Sequence, residues 1–255
     1  MTAPRIDLLV TGPATAAPAL PWPLGAVRHD DTAPHRLAET LTRWLAAADA
    51  EAILLWDPRL GAPDPALAAA LVAGRGDVWH AGLRLGTQNQ PGLLDFVAPN
   101  WMLTCDPPAD HEATSWRVAP AACLIRASVL RQLGAPCADF DTLAGALYEW
   151  GLRCAYRGAL LRHVPALVAH ARLADRNWAA IHTPSLDDEV RLVAYRYGRF
   201  WARWACGRAA LTRYAPAAAL AAAWQRVPRR RPYDEPAPYR SGRVLATPAL
   251  AAARV

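Results

Sequence analysis

The chain has 255 residues, 53% of them hydrophobic, which suffices for one large α/β domain or two small ones with a sizeable core. Its net charge is +6 and all its basic residues are Arg; this suits anionic partners (nucleotide-sugars, acidic lipid headgroups, nucleic acid) and equally describes a solvated basic surface. No run reaches the ~18 apolar residues of a membrane span, and the opening MTAPRIDLLVTGP reads as a first strand, not a signal peptide, so a cytoplasmic location is expected.

In chain order, residues 6–10 (IDLLV) predict a strand and 11–23 a Pro/Ala-rich loop, with a second short strand at 26–28. Residues 35–48 carry Leu37, Leu41, Trp44, Leu45 and Ala48 at helical spacing. The continuous apolar run at 52–56 (AILLW) predicts a strand buried on both faces and ending at Asp57-Pro58. Asp64 as N-cap and Pro65 at the first position open a helix over 66–73. A strand is expected at 78–85, then an irregular stretch at 86–120 of the kind that wraps a site. Strand 121–125, helix 127–133, helix 143–156 and short strands at 160–164 and 167–169 follow. Residues 185–214 predict one long helix, capped by Ser185 or Asp187 and broken at Ala215-Pro216, and 217–224 one further helix. From Pro228 the Pro/Arg-rich composition predicts a mobile tail.

Alternating strands and helices with near-continuous apolar strands argue for an α/β fold with a mostly parallel sheet flanked by helices. The expected organisation is a domain over 1–172, a helical segment over 173–227 and a tail over 228–255. The five cysteines, Cys105, Cys123, Cys137, Cys154 and Cys206, form no Cys-any-any-Cys pair and have no His at zinc-ligand spacing, so buried thiols in a reducing compartment are expected. No P-loop, helix-turn-helix, zinc finger or RNA-binding pattern is visible, and Arg229-Arg230-Arg231 alone is a weak patch; no nucleic-acid partner is expected.

Two stretches carry chemistry. The first is Asp57-Pro58-Arg59 with Pro63, Asp64 and Leu67; the second runs from Ala122-Cys123-Leu124-Ile125-Arg126 through Gly145, Glu149, Arg153 and Gly158 to Val164-Pro165 and His170. In order and spacing they resemble a family-2 glycosyltransferase of the GT-A fold over about residues 50–171, half the chain. The resemblance implies an inverting transfer of a sugar from a nucleotide-sugar donor to a glycan or lipid-linked acceptor. In such enzymes an Asp-any-Asp triplet holds a divalent metal, Mn2+ or Mg2+, against the diphosphate, and the Asp of a Gly-Glu-Asp triplet is the general base.

Here Asp57 is the remaining candidate for metal and catalysis, because Arg59 stands at the second acid position. Two readings stay open: Arg59 clamps phosphate as a guanidinium without metal, or Asp57 caps a turn and Arg59 is solvated. Alignment on Gly145 puts Ala146 and Leu147 at the Glu-Asp positions, leaving Glu149 as the nearest candidate base. Glu149 equally suits a helix-surface pair with Arg153 at i,i+4. Candidate substrate contacts are Arg59, Trp116, Arg117, Arg153 and His170, with Trp101 and Asp95, alongside Trp79, His80 and Asn100, from the irregular region; Trp faces cover sugar rings, although 11 Trp must also pack.

Replacement of both acidic triplets keeps a rival open: a catalytically silent glycosyltransferase-like module that binds a sugar nucleotide, a glycan or a partner enzyme. The helix at 186–213 mixes Arg191, Arg196, Arg199, Arg203 and Arg208 with Tyr195, Tyr197, Phe200, Trp201 and Trp204. Such a helix suits an anionic membrane surface, placing the protein peripherally at the inner face of the membrane. The alternative is that its aromatic face packs on the domain.

Overall fold

The apolar runs of the sequence become the interior of one seven-stranded sheet. The computed structural model describes residues 3–11, 20–30, 33–47, 49–82, 93–94, 111–169 and 183–241. The strands are β1 (Ile6–Thr11), β2 (Val27–Asp30), β3 (Ala52–Trp56), β4 (Val78–Ala81), β5 (Ala113–Thr114), β6 (Ala122–Arg126) and β7 (Leu161–His163), in the spatial order β2-β1-β3-β6-β4-β7-β5. β1 pairs parallel with β2 and β3, and β4 with β7; β6 runs antiparallel between β3 and β4, and β5 antiparallel on the β7 edge. The fold is α/β, but the sheet is mixed where a mostly parallel one was expected. A five-residue apolar run such as ACLIR is equally apolar in either direction, so its sequence carries no sign of its reversal.

Helices α1 (Pro34–Ala47), α2 (Pro65–Ala73), α3 (Ala127–Leu133), α4 (Leu143–Tyr156), α5 (Leu186–Tyr197), α6 (Arg199–Leu211) and α7 (Ala217–Arg226) flank the sheet. On one face α1, α3 and α4 bury Leu37, Leu41, Trp44, Leu130, Leu147 and Trp150 against Leu9, Ile53, Leu55, Cys123 and Ile125. α2 and the turn at Pro165–Val168 cover the other face, over Leu8, Leu54, Trp79 and Leu124. Fully burying one such aliphatic side chain contributes about 1.5–3 kcal/mol. Asp64 starts α2 as its composition predicts, its Oδ1 accepting from the N–H of Ala66 (2.8 Å) and Leu67 (3.2 Å). α4 has a second outer layer, where Ala146, Tyr148 and Leu152 pack with residues of α5, α6 and α7.

Three further expectations change. The long helix at 185–214 is two helices, because Gly198 leaves the helical region at φ 95° and closes α5 through its N–H to the Ala194 carbonyl. Residues 167–169 form no strand: Pro165 starts a 3-10 turn, closed by the Leu167 N–H to the Val164 carbonyl at 3.0 Å. The stretch from Pro228 is not loose over 228–241. Tyr239 is buried in the sheet-facing core, its hydroxyl bonded to Ser128 (3.0 Å) and Asp77 (3.1 Å), and its N–H bonds the Arg157 carbonyl at 2.7 Å. Residues 228–241 thus form a strap over α3 and α4. No helix among the described residues is long and apolar enough to cross a membrane.

Candidate functional site

β1, β3, β4 and β7 all end at one edge of the sheet, the edge where open α/β sheets bind ligands. β3 delivers Asp57 there. The Asp57 N–H bonds the Ala121 carbonyl at 2.8 Å, tying the turn to the neighbouring reversed strand β6. Pro58 then starts a 3-10 turn (Pro58–Leu60) with Asp57 as N-cap. The Asp57 carboxylate accepts from the Arg59 N–H at 2.9 Å and from Arg59 Nε at 2.9 and 3.1 Å, and Arg59 Nη2 donates to its Oδ2. The carboxylate is buried, with a side-chain exposure of 6%, whereas the guanidinium is 43% exposed. Hydrogen bonding to Asp57 raises the Arg59 pKa, outweighing its partial burial, so the cation is permanent. Asp57 caps the turn, as the second of the two readings has it, and holds Arg59 at the rim as a half-exposed cation.

Below this rim one row of the sheet, on the face covered by α1, α3 and α4, runs Leu9, Leu55, Cys123, His80, His163 across five strands. His80 and His163 stand with ring centroids 5.6 Å apart. His163 Nδ1 bonds the His111 carbonyl at 3.0 Å, while among the described residues the His80 ring nitrogens have the Ser115 backbone as a weak polar neighbour and no well-formed hydrogen bond. Burial first, then the neighbouring His163, push the His80 pKa down to about 3, against a small opposing pull from the Ser115 backbone. His80 is therefore a neutral, enclosed imidazole under the candidate edge. Trp79, its neighbour in β4, faces the other side, buried beneath the Arg126 guanidinium at 4.8 Å.

Glu149 lies elsewhere. It is completely buried on α4, its Oε1 accepting from the Tyr233 hydroxyl of the strap. Arg153 approaches it at 3.5 Å and Arg196 of α5 at 3.7 Å. The i,i+4 partner is the expected one, but the pair is enclosed and not on a helix surface. Arg196 also binds Glu235 at 2.9 Å, which takes Arg157 at 2.7 Å and Arg231 as well. These guanidinium groups hold the Glu235 carboxyl below its ordinary pKa, although burial, its largest single influence, works the other way. The described bonds of Glu149 all run to α4, α5 and the strap, and those of Asp57 to its own turn and the end of β6, so the structure brings no bond between the two candidate acids.

The remaining candidates divide the same way. Arg153 donates to the carbonyls of Leu133 (2.8 Å) and Ala135 (3.0 Å), closing the end of α3. Arg126 does the same for α2 through Val72 (2.6 Å) and Gly74 (3.2 Å). Trp116 is buried edge-on against Tyr148 at 6.1 Å, with the buried Arg117 guanidinium 5.2 Å over its ring. Gly151 lets α4 approach this segment: a Cβ there would lie 2.2 Å from the Trp116 carbonyl oxygen. His170, Trp101, Asp95 and Asn100 lie outside the described residues. Cys123, Cys137 and Cys154 are buried free thiols and Cys206 a half-buried one; Cys105 lies outside the described residues.

Asp188 of α5 escapes sequence reasoning as more than a charge at a helix start. Fully buried, it accepts from the N–H of Asp141 and Thr142 at 2.8 Å each and from the Thr142 hydroxyl, anchoring the start of α4. Gly145 makes room for it, since a Cβ would meet its Oδ2 at 2.5 Å. The signal was the N-cap pair of Thr142 and Ser185, which places two helix starts without showing that they meet.

A divalent cation needs several oxygen donors at once. At the Asp57 turn the single carboxylate already binds a guanidinium, and no group of three or more His, Cys, Asp or Glu suited to a metal occurs among the described residues. The described donors thus do not fit Mn2+ or Mg2+ at this turn. Comparison with protein-family models and with curated proteins finds no match.

Proposed function

We propose that the chain is a glycosyltransferase-like protein of the GT-A type, holding the diphosphate of a nucleotide-sugar at the carboxyl edge of its sheet and transferring the sugar, with inversion, to a glycan or lipid-linked acceptor. One observation carries this reading: β3 ends in a buried Asp57 that presents the half-exposed Arg59 guanidinium at that edge. A fixed guanidinium neutralises phosphate charge by forked hydrogen bonds, and a partner carboxylate that orients it limits the entropy lost on binding. In support, the described residues of the resemblance fall at the turn after β3, the start of α2, strand β6, helix α4 and the turn at Pro165–Val168.

A second reading, a catalytically silent module that binds a sugar nucleotide, a glycan or a partner enzyme, is favoured by the enclosure of Glu149. A general base must come within hydrogen-bond reach of the acceptor hydroxyl, and Glu149 is occupied by Tyr233, Arg153 and Arg196.

The test is calorimetric titration of the full chain with UDP, GDP and dTDP, each with and without manganese, followed by assay of sugar transfer or hydrolysis from any donor whose nucleotide binds. Metal-independent binding that disappears in Arg59→Ala supports the donor site. Turnover supports the transferase; binding without turnover supports the silent module. Absence of binding to all three nucleotides overturns the donor site.

A further inference from the structure

α6 presents two unlike faces. Inward it uses only small residues, Ala202, Ala205 and Ala209, all buried against the α5 and α7 layer. Outward stand Phe200, Trp201, Trp204 and Leu211, with exposures of 73, 49, 43 and 83%. At 100° per residue, Phe200, Trp201, Trp204, Arg208 and Leu211 share an arc about 100° wide. The rings touch in series: Phe200 to Trp201 at 5.6 Å and Trp201 to Trp204 at 5.9 Å, with the Arg208 guanidinium 5.6 Å from the Trp204 ring. The expectation that the aromatic face packs on the domain holds on α5, where Tyr195 is buried and Tyr197 packs against the same cluster, and is corrected on α6, where Ala residues make the contact and Phe200, Trp201 and Trp204 point out. A contiguous apolar patch on a protein surface marks a place where something docks.

Charge identifies the occupant. Residues 190–233 contain ten Arg and no Asp or Glu. Arg191, Arg196, Arg226 and Arg231 form ion pairs, and Arg199 bonds the carbonyls of Val227 and Pro228. Arg203, Arg208, Arg213, Arg229 and Arg230 have no carboxylate partner among the described residues. Arg229 and Arg230, with Gly198, Arg199 and one acid, Asp234, line a cleft of about 490 Å³ that adjoins the Phe200 end of α6, in which the Arg residues outnumber the carboxylate. A second copy of this chain would bring the same cations face to face in a two-fold contact, which repels. A surface that offers both anionic headgroups and an apolar interior complements the guanidinium and the aromatic groups together.

We propose that α6 is an interfacial helix that docks the protein on an anionic lipid bilayer. Phe200, Trp201, Trp204 and Leu211 enter the boundary between headgroups and acyl chains. Arg203 and Arg208 reach the lipid phosphates from the same helix, and Arg229 and Arg230 from the adjoining cleft. With 13 residues, α6 lies along the surface and does not cross it. Docking is independent of whether the carboxyl edge binds a nucleotide.

The experiment is co-sedimentation of the full chain with vesicles of phosphatidylcholine alone and of phosphatidylcholine mixed with phosphatidylglycerol, with tryptophan fluorescence as a second readout. Binding is expected on the mixed vesicles, weak on the neutral ones and falling as sodium chloride rises, with a blue shift of tryptophan emission. Arg203→Gln with Arg208→Gln lowers the partition coefficient on the order of tenfold, and Trp201→Ala with Trp204→Ala by roughly tenfold or more. Arg43→Gln on α1 leaves it unchanged. All these side chains are outside the core, and matching thermal melts verify that the variants fold. Equal binding to both vesicle types, or binding to neither, overturns the proposal. So does a concentration-dependent dimer in light scattering that Trp204→Ala dissolves, or shielding of Trp201 and Trp204 from acrylamide before any lipid is added.

Discussion

Asp57 with Arg59 and Glu149 with Arg153 are the same chemical pair in two settings. At the sheet edge the carboxylate is buried and the guanidinium reaches solvent. On α4 both partners are enclosed, and a phenol from the strap and a second guanidinium complete the enclosure. An ion pair in the interior loses hydration on both sides and depends on every partner being present. A pair with one exposed member contributes little to stability and keeps that member available to a ligand. The difference gives Glu149 a place in holding the fold together and leaves Arg59 exposed at the edge, where the proposed function would have it meet a diphosphate.

The sharpest way to break that division is Glu149→Ala. It leaves Arg153, Arg196 and Tyr233 facing an empty acid position and is expected to destabilise the protein by about 3–5 kcal/mol, read as a lower urea midpoint. An unchanged midpoint would erase the distinction between the two pairs.

His80 tests the interior just beneath the open pair. Its folded-state pKa of about 3 lies below the ordinary 6.5, so between these values the unfolded chain binds a proton that the folded one does not. Stability is therefore full above pH 6.5, falls as pH drops towards 3, and levels off below it, by an order of a few kcal/mol in total. His80→Leu should flatten this acid limb in denaturation curves taken across pH; a limb that persists assigns it to other groups.

Gly151→Ala forces a Cβ against the Trp116 carbonyl, a backbone atom that cannot swing aside, and overpacking of this kind costs roughly 1–3 kcal/mol. A thermal melt equal to that of the parent would show that α4 can shift away from residues 116–118. Tyr239→Phe removes the bonds to Ser128 and Asp77 and should lower stability by about 1 kcal/mol. Proteolysis within 228–241 is then expected to accelerate. Smallest in stability is Arg59→Ala, within about 1 kcal/mol of the parent, although it carries the largest expected loss of nucleotide affinity. A strong destabilisation there would move Arg59 into the same class as Glu149.

Much of the interior was legible because burial on both faces writes itself as unbroken apolar runs, as at residues 6–10, 52–56 and 121–125. The Asp64-Pro65 start of α2 was equally plain, since N-cap chemistry is local. What escaped depends on partners distant in sequence. Glu149 meets Tyr233 across 84 residues, and Tyr239 meets Asp77 across 162. A Pro/Arg-rich composition describes the strap's solvated side chains, not the two tyrosines that pin it. Gly198 was read through because aromatic and Arg residues continue on both sides of it, and one glycine is often tolerated in a helix. At the candidate site, the position of Asp57 and Arg59 followed from the end of β3. Their bond to each other did not, because a phosphate clamp and a turn cap use the same two residues.

The strap also sets an order of events during synthesis. Glu149 leaves the ribosome 84 residues before Tyr233, an interval of about 4–17 seconds at roughly 5–20 residues per second. Throughout it, α4 carries an acid whose phenolic partner does not yet exist, and the sheet-facing core lacks Tyr239. Until then Glu149 has only the guanidinium groups of α4 and α5 to pair with, so the enclosure of that acid is completed late in synthesis.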